Sequence, residues 1–346
     1  MSNTSQVHVG GGGVAVVVPY FNAEEYIARS MSSVLAQNLA NLTLIMVDDF
    51  STDGGRVVVD DYARRDPRVI SLTSAEKGAN CARYRGVASA NSEFVMFLDS
   101  DDELTPGAIQ SLLSLCDSPD IDLVCGNIES VRGSYTEKLY TFRYLDSAVS
   151  LDERSDAILD IPPTLCAKLF RRHLFHGHAF KNVPFTQDWN VTYSALRRVN
   201  RVRFTEEILY RYIRRDASTC GAKRVMTRDL IASACESWKD VLLQHKAEGD
   251  RFKPELSILG IRFFIEMLHR IVMIPDLEVR RACFLVCQEA ARSCLEPAGC
   301  WHARGSFKEF VRAMAVIVGF NSFTAFETYR VAFMARDARR ARSNWV

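Results

Sequence analysis

The chain has 346 residues, enough for one large domain or two smaller ones. Hydrophobic residues make up 48% and charged residues 25%, the balance of a globular protein that can bury a sizeable core. A net charge of +1 excludes bulk electrostatic attraction to nucleic acid or to acidic partners as the basis of function.

The opening stretch "MSNTSQVHVGGGG" (1–13) is polar and Gly-rich and reads as a disordered tail. It has neither a positive n-region nor a long apolar stretch, so it does not read as a signal peptide. "VAVVVP" (14–19) is a continuous run suited to a strand buried on both faces. Residues 23–37 predict a helix with Ile27, Met31, Val34 and Leu35 on one face. "LTLIMVDD" (42–49) predicts a second strand ending in acids, and residues 53–65 a second helix. "RVISL" (68–72) is a short strand, 78–90 a helix with small residues, and "EFVMFLD" (93–99) a buried strand. A helix is expected over 105–117, with Thr105 as N-cap and Pro106 at the first helical position. "IDLVCGN" (121–127) follows as a strand. This alternation implies a mostly parallel sheet with helices on both faces.

Residues 127–220 mix aromatic and basic side chains less regularly. From about 225 the pattern turns helical, with blocks near 225–247, 254–273, 276–295 and 306–340. The domain boundary is placed at 222, leaving a helical region over 223–346. "AMAVIVGF" (313–320) is far too short to span a bilayer.

In open α/β sheets, ligands bind beyond the carboxyl ends of the strands. Polar residues gather there: Tyr20 and Asn22, then Asp48 and Asp49, then Asp99, Asp101 and Asp102 in "FLDSDDEL". No GxGxxG follows the first strand, since the glycines at 10–13 precede it, and no GxxxxGK[ST] occurs. Dinucleotide-type and P-loop sites are therefore not expected. Three acids within four positions repel one another unless a positive partner offsets them. Hard oxygen ligands select Mg²⁺ or Mn²⁺, with substrate phosphates completing the shell. The alternative is a solvated turn before a helix.

Cys283, Cys287 and Cys294 share one helical face, and no CxxC occurs. They read as buried reduced thiols; a zinc site drawing on Cys300 and His302 is the alternative. His173, His176 and His178 lack an HExxH arrangement and read as pocket or packing residues.

Three stretches together, "VAVVVPYFNAEEYIARSMSSVLAQ", "LTLIMVDDFSTDGG" and "KGANCARYRGVASANSEFVMFLDSDDELTPGAI", resemble the N-terminal half of the inverting glycosyltransferase family 2, of GT-A fold. "CAKLFRRHLF", "VPFTQDW" and "EEILYRYIRRDAST" resemble the acceptor-side half of its capsular-polysaccharide and lipopolysaccharide branch. The resemblance covers about 14–220. It implies a GT-A domain over 14–222, with a nucleotide-binding half (14–127) and an acceptor half (128–222).

The resemblance also implies roles. Pro19, Phe21 and Asn22 would line the nucleotide pocket, and Asp49 would accept the N3–H of a uracil-type base, with Asp48 the weaker choice. Lys77, Gly78 and Arg83 would lie near base and phosphates. Asp99 and Ser100 would lie near the ribose, and Asp99, Asp101 and Asp102 would supply the Mn²⁺ or Mg²⁺ site, with Asp101 or Asp102 as the direct ligand. Asp188 would be the general base, with Gln187 standing where the family usually has Glu. Tyr210, Arg211, Tyr212 and Arg214 would close near the site, with Arg211 or Arg214 touching phosphate or lying on the surface. Ser218 and Thr219 follow in the family's usual place. The donor would be a nucleotide sugar, a UDP-sugar in particular, and the acceptor a saccharide or a lipid-linked one. Reduced cysteines imply a cytoplasmic protein.

Arg336, Arg339, Arg340, Arg342 and Trp345 suit contact with the anionic inner face of a plasma membrane, a helical cap with a solvated tail being the alternative. The rival readings are a nucleotidyltransferase, whose Gly-rich basic signature is missing, and a non-catalytic binding protein of the same fold. The sequence does not give an oligomeric state.

Overall fold

All seven residues of β1 (Val14–Tyr20) are buried, as a strand covered on both faces requires. Val14, Val16 and Val18 join Ile27, Met31 and Val34 of α1 (Ile27–Leu35) in the core on one face. Val17, on the other face, meets Gly86 of α3 (Ala79–Ser89). Between these elements lie β2 (Leu42–Asp48), α2 (Gly55–Arg65) and β3 (Val69–Thr73). There follow β4 (Phe94–Phe97), β5 (Glu103–Leu104), α4 (Ala108–Ser114), β6 (Ile121–Arg132), β7 (Tyr135–Lys138), β8 (Val149–Ser150), β9 (Lys168–Arg171), α5 (Gln187–Leu196) and β10 (Arg201–Ile213). The computed structural model describes residues 13–177, 180–215, 226–294, 322–328 and 330.

Among the described residues the strands form one sheet of order β3-β2-β1-β4-β9-β6-β10-β5, with β7 on β6 and β8 on β10. β3, β2, β1 and β4 pair in parallel, as does β6 with β10, while β9 and β5 pair antiparallel to their neighbours. The chain leaves β1 towards β2 on one side and returns to β4 on the other. The crevice between the carboxyl ends of β1 and β4 is therefore the topological switch point.

One expected element is displaced. α4 starts at Ala108, behind Gly107 at φ +76°, and Thr105 is not its cap. β5 pairs with Tyr210 and Arg211 of β10, and the Thr105 hydroxyl donates to the Ile208 carbonyl at 2.8 Å. A sheet hydrogen bond has claimed the side chain that the sequence offered to the helix. β10 runs for 13 residues through a stretch that shows no clear periodicity in sequence.

The chain divides into two compact units, Met1–Lys223 and Arg224–Val346. The second contains α6 (Arg228–Ala247), α7 (Lys253–Val272) and α8 (Leu277–Cys294). Thr227 caps α6 by accepting from the Leu230 N–H, and Trp238 stacks on Phe263 within the unit. Cys283 and Cys287 are fully buried free thiols. Among the described residues no three His, Cys, Asp or Glu side chains group to hold a metal, and no helix is long and apolar enough to cross a membrane. The N-terminal tail, His178, Ser218, Thr219, Cys300, His302 and the basic C-terminal residues lie outside the described residues.

Candidate active site

Three loops meet at the switch point, and each holds a non-glycine residue at positive φ: Asn22 (+47°), Phe50 (+63°) and Thr186 (+58°). Such conformations persist only where surrounding contacts impose them, and they gather at functional sites. The contacts are present. The Asn22 N–H donates to Ser51 Oγ at 3.1 Å, and Asn22 Oδ1 accepts the Thr52 N–H at 2.8 Å. The loops after β1 and β2 are thus latched together.

Asp48 and Asp49 divide their work. Asp48 is buried and accepts the Ser51 N–H at 2.9 Å, so it shapes the loop. Asp49 Oδ1 accepts the Gly78 N–H at 2.6 Å, leaving Oδ2 for another donor. Burial raises the Asp49 pKa; the Gly78 hydrogen bond and Lys77 work against that. Gly78 has φ +136°, and an added Cβ would lie 2.0 Å from Asn182 Oδ1. Lys77 Nζ sits 4.7 Å over the Phe21 ring, and Phe21 is 45% exposed. A cation and an open aromatic face therefore flank Asp49. Pro19 stays buried in β1 opposite Val47 and is not presented to solvent as Phe21 and Asn22 are.

Arg83, projecting from α3, is the centre of the acid cluster. Its NH2 donates to Asp99 Oδ1 at 2.9 Å, and its NH1 lies 3.3 Å from Asp188 Oδ1. NH1 also donates to Gln187 Oε1 at 3.3 Å and to Asn80 Oδ1 at 3.1 Å. Burial opposes the charge on Arg83, but Asp188 and Asp99 more than offset it and hold its pKa above the ordinary value. Asp188 is about a quarter exposed and its Oδ2 accepts the Leu165 N–H at 3.3 Å. Burial raises the Asp188 pKa, with Arg83 pulling it back.

The three acids after β4 do not form a three-carboxylate seat. Asp102 is buried, accepting from the Tyr210 hydroxyl at 2.7 Å and the Ile213 N–H at 2.8 Å. Burial, then Asp99, pushes its pKa up to about 8. Asp102 is a fastener between the turn and β10, with both of its oxygens already accepting hydrogen bonds. Asp101 instead pairs with Arg215, whose guanidinium stacks 3.6 Å over the Tyr26 ring. Asp99 and Asp101 remain partly exposed, and Ser100 is half-buried between them. A carboxylate that has drawn in a guanidinium is a place that suits a cation. Asp99 and Asp101 fit a two-carboxylate Mg²⁺ or Mn²⁺ site better than any set with Asp102.

Arg211 and Arg214 turn away, to Glu129 and to Ser130 Oγ, and Arg215 is the arginine of this segment that reaches the acids. His173 lies against Asp122 and His176 against Arg172, so the two do not converge on a shared ligand. Sequence reasoning gave no role to Leu165, Cys166, Lys168 or Arg215. The signal for Lys168 was a lysine inside the apolar run "LCAKLF".

The sequence model of Glycosyl transferase family 2 matches residues 15–178, the segment that carries β1 to β9 and the acids after β2 and β4. Over these residues the chain is similar to that family. EpsJ of Bacillus subtilis, an uncharacterized glycosyltransferase, is 27% identical over 210 residues, 58% of this chain and 60% of EpsJ. The UDP-Glc:alpha-D-GlcNAc-diphosphoundecaprenol beta-1,3-glucosyltransferase WfgD of Escherichia coli is 35% identical over 122 residues, 35% of this chain and 47% of WfgD. The chain thus spans less than two thirds of either relative. The crystal structure of S. aureus TarS 1-349 in complex with UDP-GlcNAc superposes with a TM-score of 0.71 at 18% identity, covering 92% of both chains. The sheet is therefore of the GT-A fold.

Proposed function

We propose that the first unit moves a glycosyl group from a UDP-sugar to a hydroxyl of a saccharide or lipid-linked acceptor in surface-polysaccharide assembly, with inversion at the anomeric carbon. The observation that carries this is the bridge Asp99–Arg83–Asp188 at the switch point, beside Asp49 with one oxygen unclaimed. WfgD takes UDP-Glc by its name, and TarS was crystallised with UDP-GlcNAc, which supports the donor class.

Asp49 Oδ2 accepts the imide N–H of the base, which Phe21 supports from the side. Lys77 and Arg83 supply positive charge where the diphosphate lies. The acceptor oxygen bonds to the anomeric carbon as the bond to the diphosphate oxygen breaks and its electron pair leaves with the nucleotide. Asp188 receives the acceptor's proton; burial, which raises its proton affinity, suits a base. A divalent cation held by Asp99 and Asp101 would offset charge on the leaving diphosphate.

Thermal melting with UDP, GDP and CDP, each with and without Mn²⁺, tests the donor. Stabilisation by UDP at millimolar concentration, enlarged by Mn²⁺ and lost in Asp49→Ala, is the expected pattern. No response to any nucleotide would refute the reading.

A further inference from the structure

Lys168, at the start of β9, is 1% exposed. Lysine is rarely buried to this extent unless its charge is met. Its Nζ donates to the Thr164 carbonyl at 2.5 Å. An apolar side chain of equal length would fill the same space without desolvating an amine.

The segment that Lys168 ties down touches the site through Leu165 and Cys166 and is held at its two ends by neighbouring elements. The Thr164 carbonyl also accepts from the Thr192 hydroxyl of α5 at 3.4 Å, joining the turn to the helix that carries Asp188. The Leu165 N–H donates to Asp188 Oδ2 at 3.3 Å. The Cys166 thiol lies 3.9 Å from Asp99 Oδ2. Ala167 sits at φ +54°, with its carbonyl held by the Gly126 N–H at 2.8 Å. Alanine gains nothing from that conformation, so the turn is held there by its contacts. Lys168 closes the turn on itself, and two consecutive residues, Leu165 and Cys166, then reach the two carboxylates on either side of Arg83.

We infer that Lys168 is a positioning residue for the general base, acting by fixing the 164–167 turn so that the Leu165 N–H orients Asp188. The inference rests on the transferase reading, since it presumes that Asp188 takes a proton. Lys168 does not touch substrate. Its amine, buried beside Cys125 and Cys166, is held below the ordinary lysine pKa by desolvation, with those thiols and Asp188 pulling it back up. The amine also faces Asp188 electrostatically, and its hydrogen bond to the Thr164 carbonyl is the contact that fixes the turn.

The experiment compares the full chain with Lys168→Met, Lys168→Gln, Asp188→Asn and the double variant Lys168→Met/Asp188→Asn. UDP-sugar turnover, KM, UDP affinity and melting temperature are measured for each. Lys168→Met should lower kcat by about tenfold or more, a larger change than in KM or UDP affinity, since the N–H that the turn presents is bonded to Asp188. Lys168→Gln, which can still donate to Thr164, should recover part of that loss. The double variant should be no slower than Asp188→Asn alone, because the two changes act on one step. Full multiplication of the two losses would overturn the inference, as would a lower melting temperature with kcat unchanged. Should Lys168→Met fail to fold, Lys168→Gln decides by the same split and the same double-variant comparison. A wild type that binds UDP yet turns over no UDP-sugar would defeat the transferase reading and this inference with it. An active wild type with a normal Lys168→Met would defeat this inference alone.

Discussion

Gly78 is where the fold and the nucleotide site depend on the same atoms, so Gly78→Ala is a demanding test. Its φ of +136° lies in a region that L-residues rarely enter, and the added Cβ would stand 2.0 Å from Asn182 Oδ1. Strain of this kind costs about 1–3 kcal/mol, and displacing Asn182 from its 2.8 Å bond to the Lys77 carbonyl costs about 0.5–1.5 more. The sum, about 1.5–4.5 kcal/mol, corresponds to a fall of several degrees in melting temperature for a unit of this size, at about 2–4 °C per kcal/mol. The loop can relieve the strain by rotating, but it then withdraws the Gly78 N–H from Asp49. Stability and UDP affinity therefore trade against each other, and at least one must fall. Gly133→Ala is the control: it too has positive φ (+59°), but nothing lies within 4 Å of the added atom. Thermal melts and calorimetric titration with UDP on both variants make the comparison. If Gly78→Ala melts with Gly133→Ala and binds UDP like the wild type, the geometric argument fails.

Three further outcomes follow from the site. Asp188→Asn should lower kcat by about 10²–10⁴-fold, measured by UDP release, since the proposed proton acceptor is removed. UDP affinity should weaken as pH falls, starting above the ordinary carboxylate range, because burial raises the Asp49 pKa and only its ionised form serves the imide N–H. Calorimetry across acid pH should show this limb in the wild type and lose it in Asp49→Asn. Tyr210→Phe should destabilise the first unit by about 1–3 kcal/mol in urea unfolding, because it leaves the buried Asp102 without one of its two donors.

The strands that build the site were legible because they are continuous apolar runs, and the acids were legible because they stand directly after them. "VAVVVP", "LTLIMVDD" and "EFVMFLD" became β1, β2 and β4 with their polar ends at the switch point. What stayed hidden depends on pairing between distant segments. Thr105 reads locally as a helix cap, yet the Ile208 carbonyl, 103 positions away, takes its hydroxyl. Asp102 reads like Asp101 until β10 arrives with the Tyr210 hydroxyl and the Ile213 N–H. The turn at 164–168 overlaps the stretch "CAKLFRRHLF", but its part in holding Asp188 appears only when α5 packs against it.

The acids after β4 pose a charge problem that the fold answers residue by residue. Asp99 is met by Arg83, Asp101 by Arg215, and Asp102 by two neutral donors under burial that raises its pKa. On the proposed reading, a cation at Asp101 would have to displace a guanidinium already seated there, and that contest would set how much Mn²⁺ is needed. Gln187 belongs to the same balance. Arg83 faces the charges of Asp99 and Asp188, and a glutamate at position 187 would add a third on one buried guanidinium. Gln187 keeps the hydrogen bond to Arg83 NH1 at 3.3 Å without that charge. Arg83 is thus less neutralised on the side of Asp188, which keeps the base from rising further towards a protonated state. Gln187→Glu should then raise the pH at which turnover is half lost on the acid side, read from kcat across pH 4–8. An unmoved acid limb would show that the residue at position 187 does not set the proton affinity of Asp188.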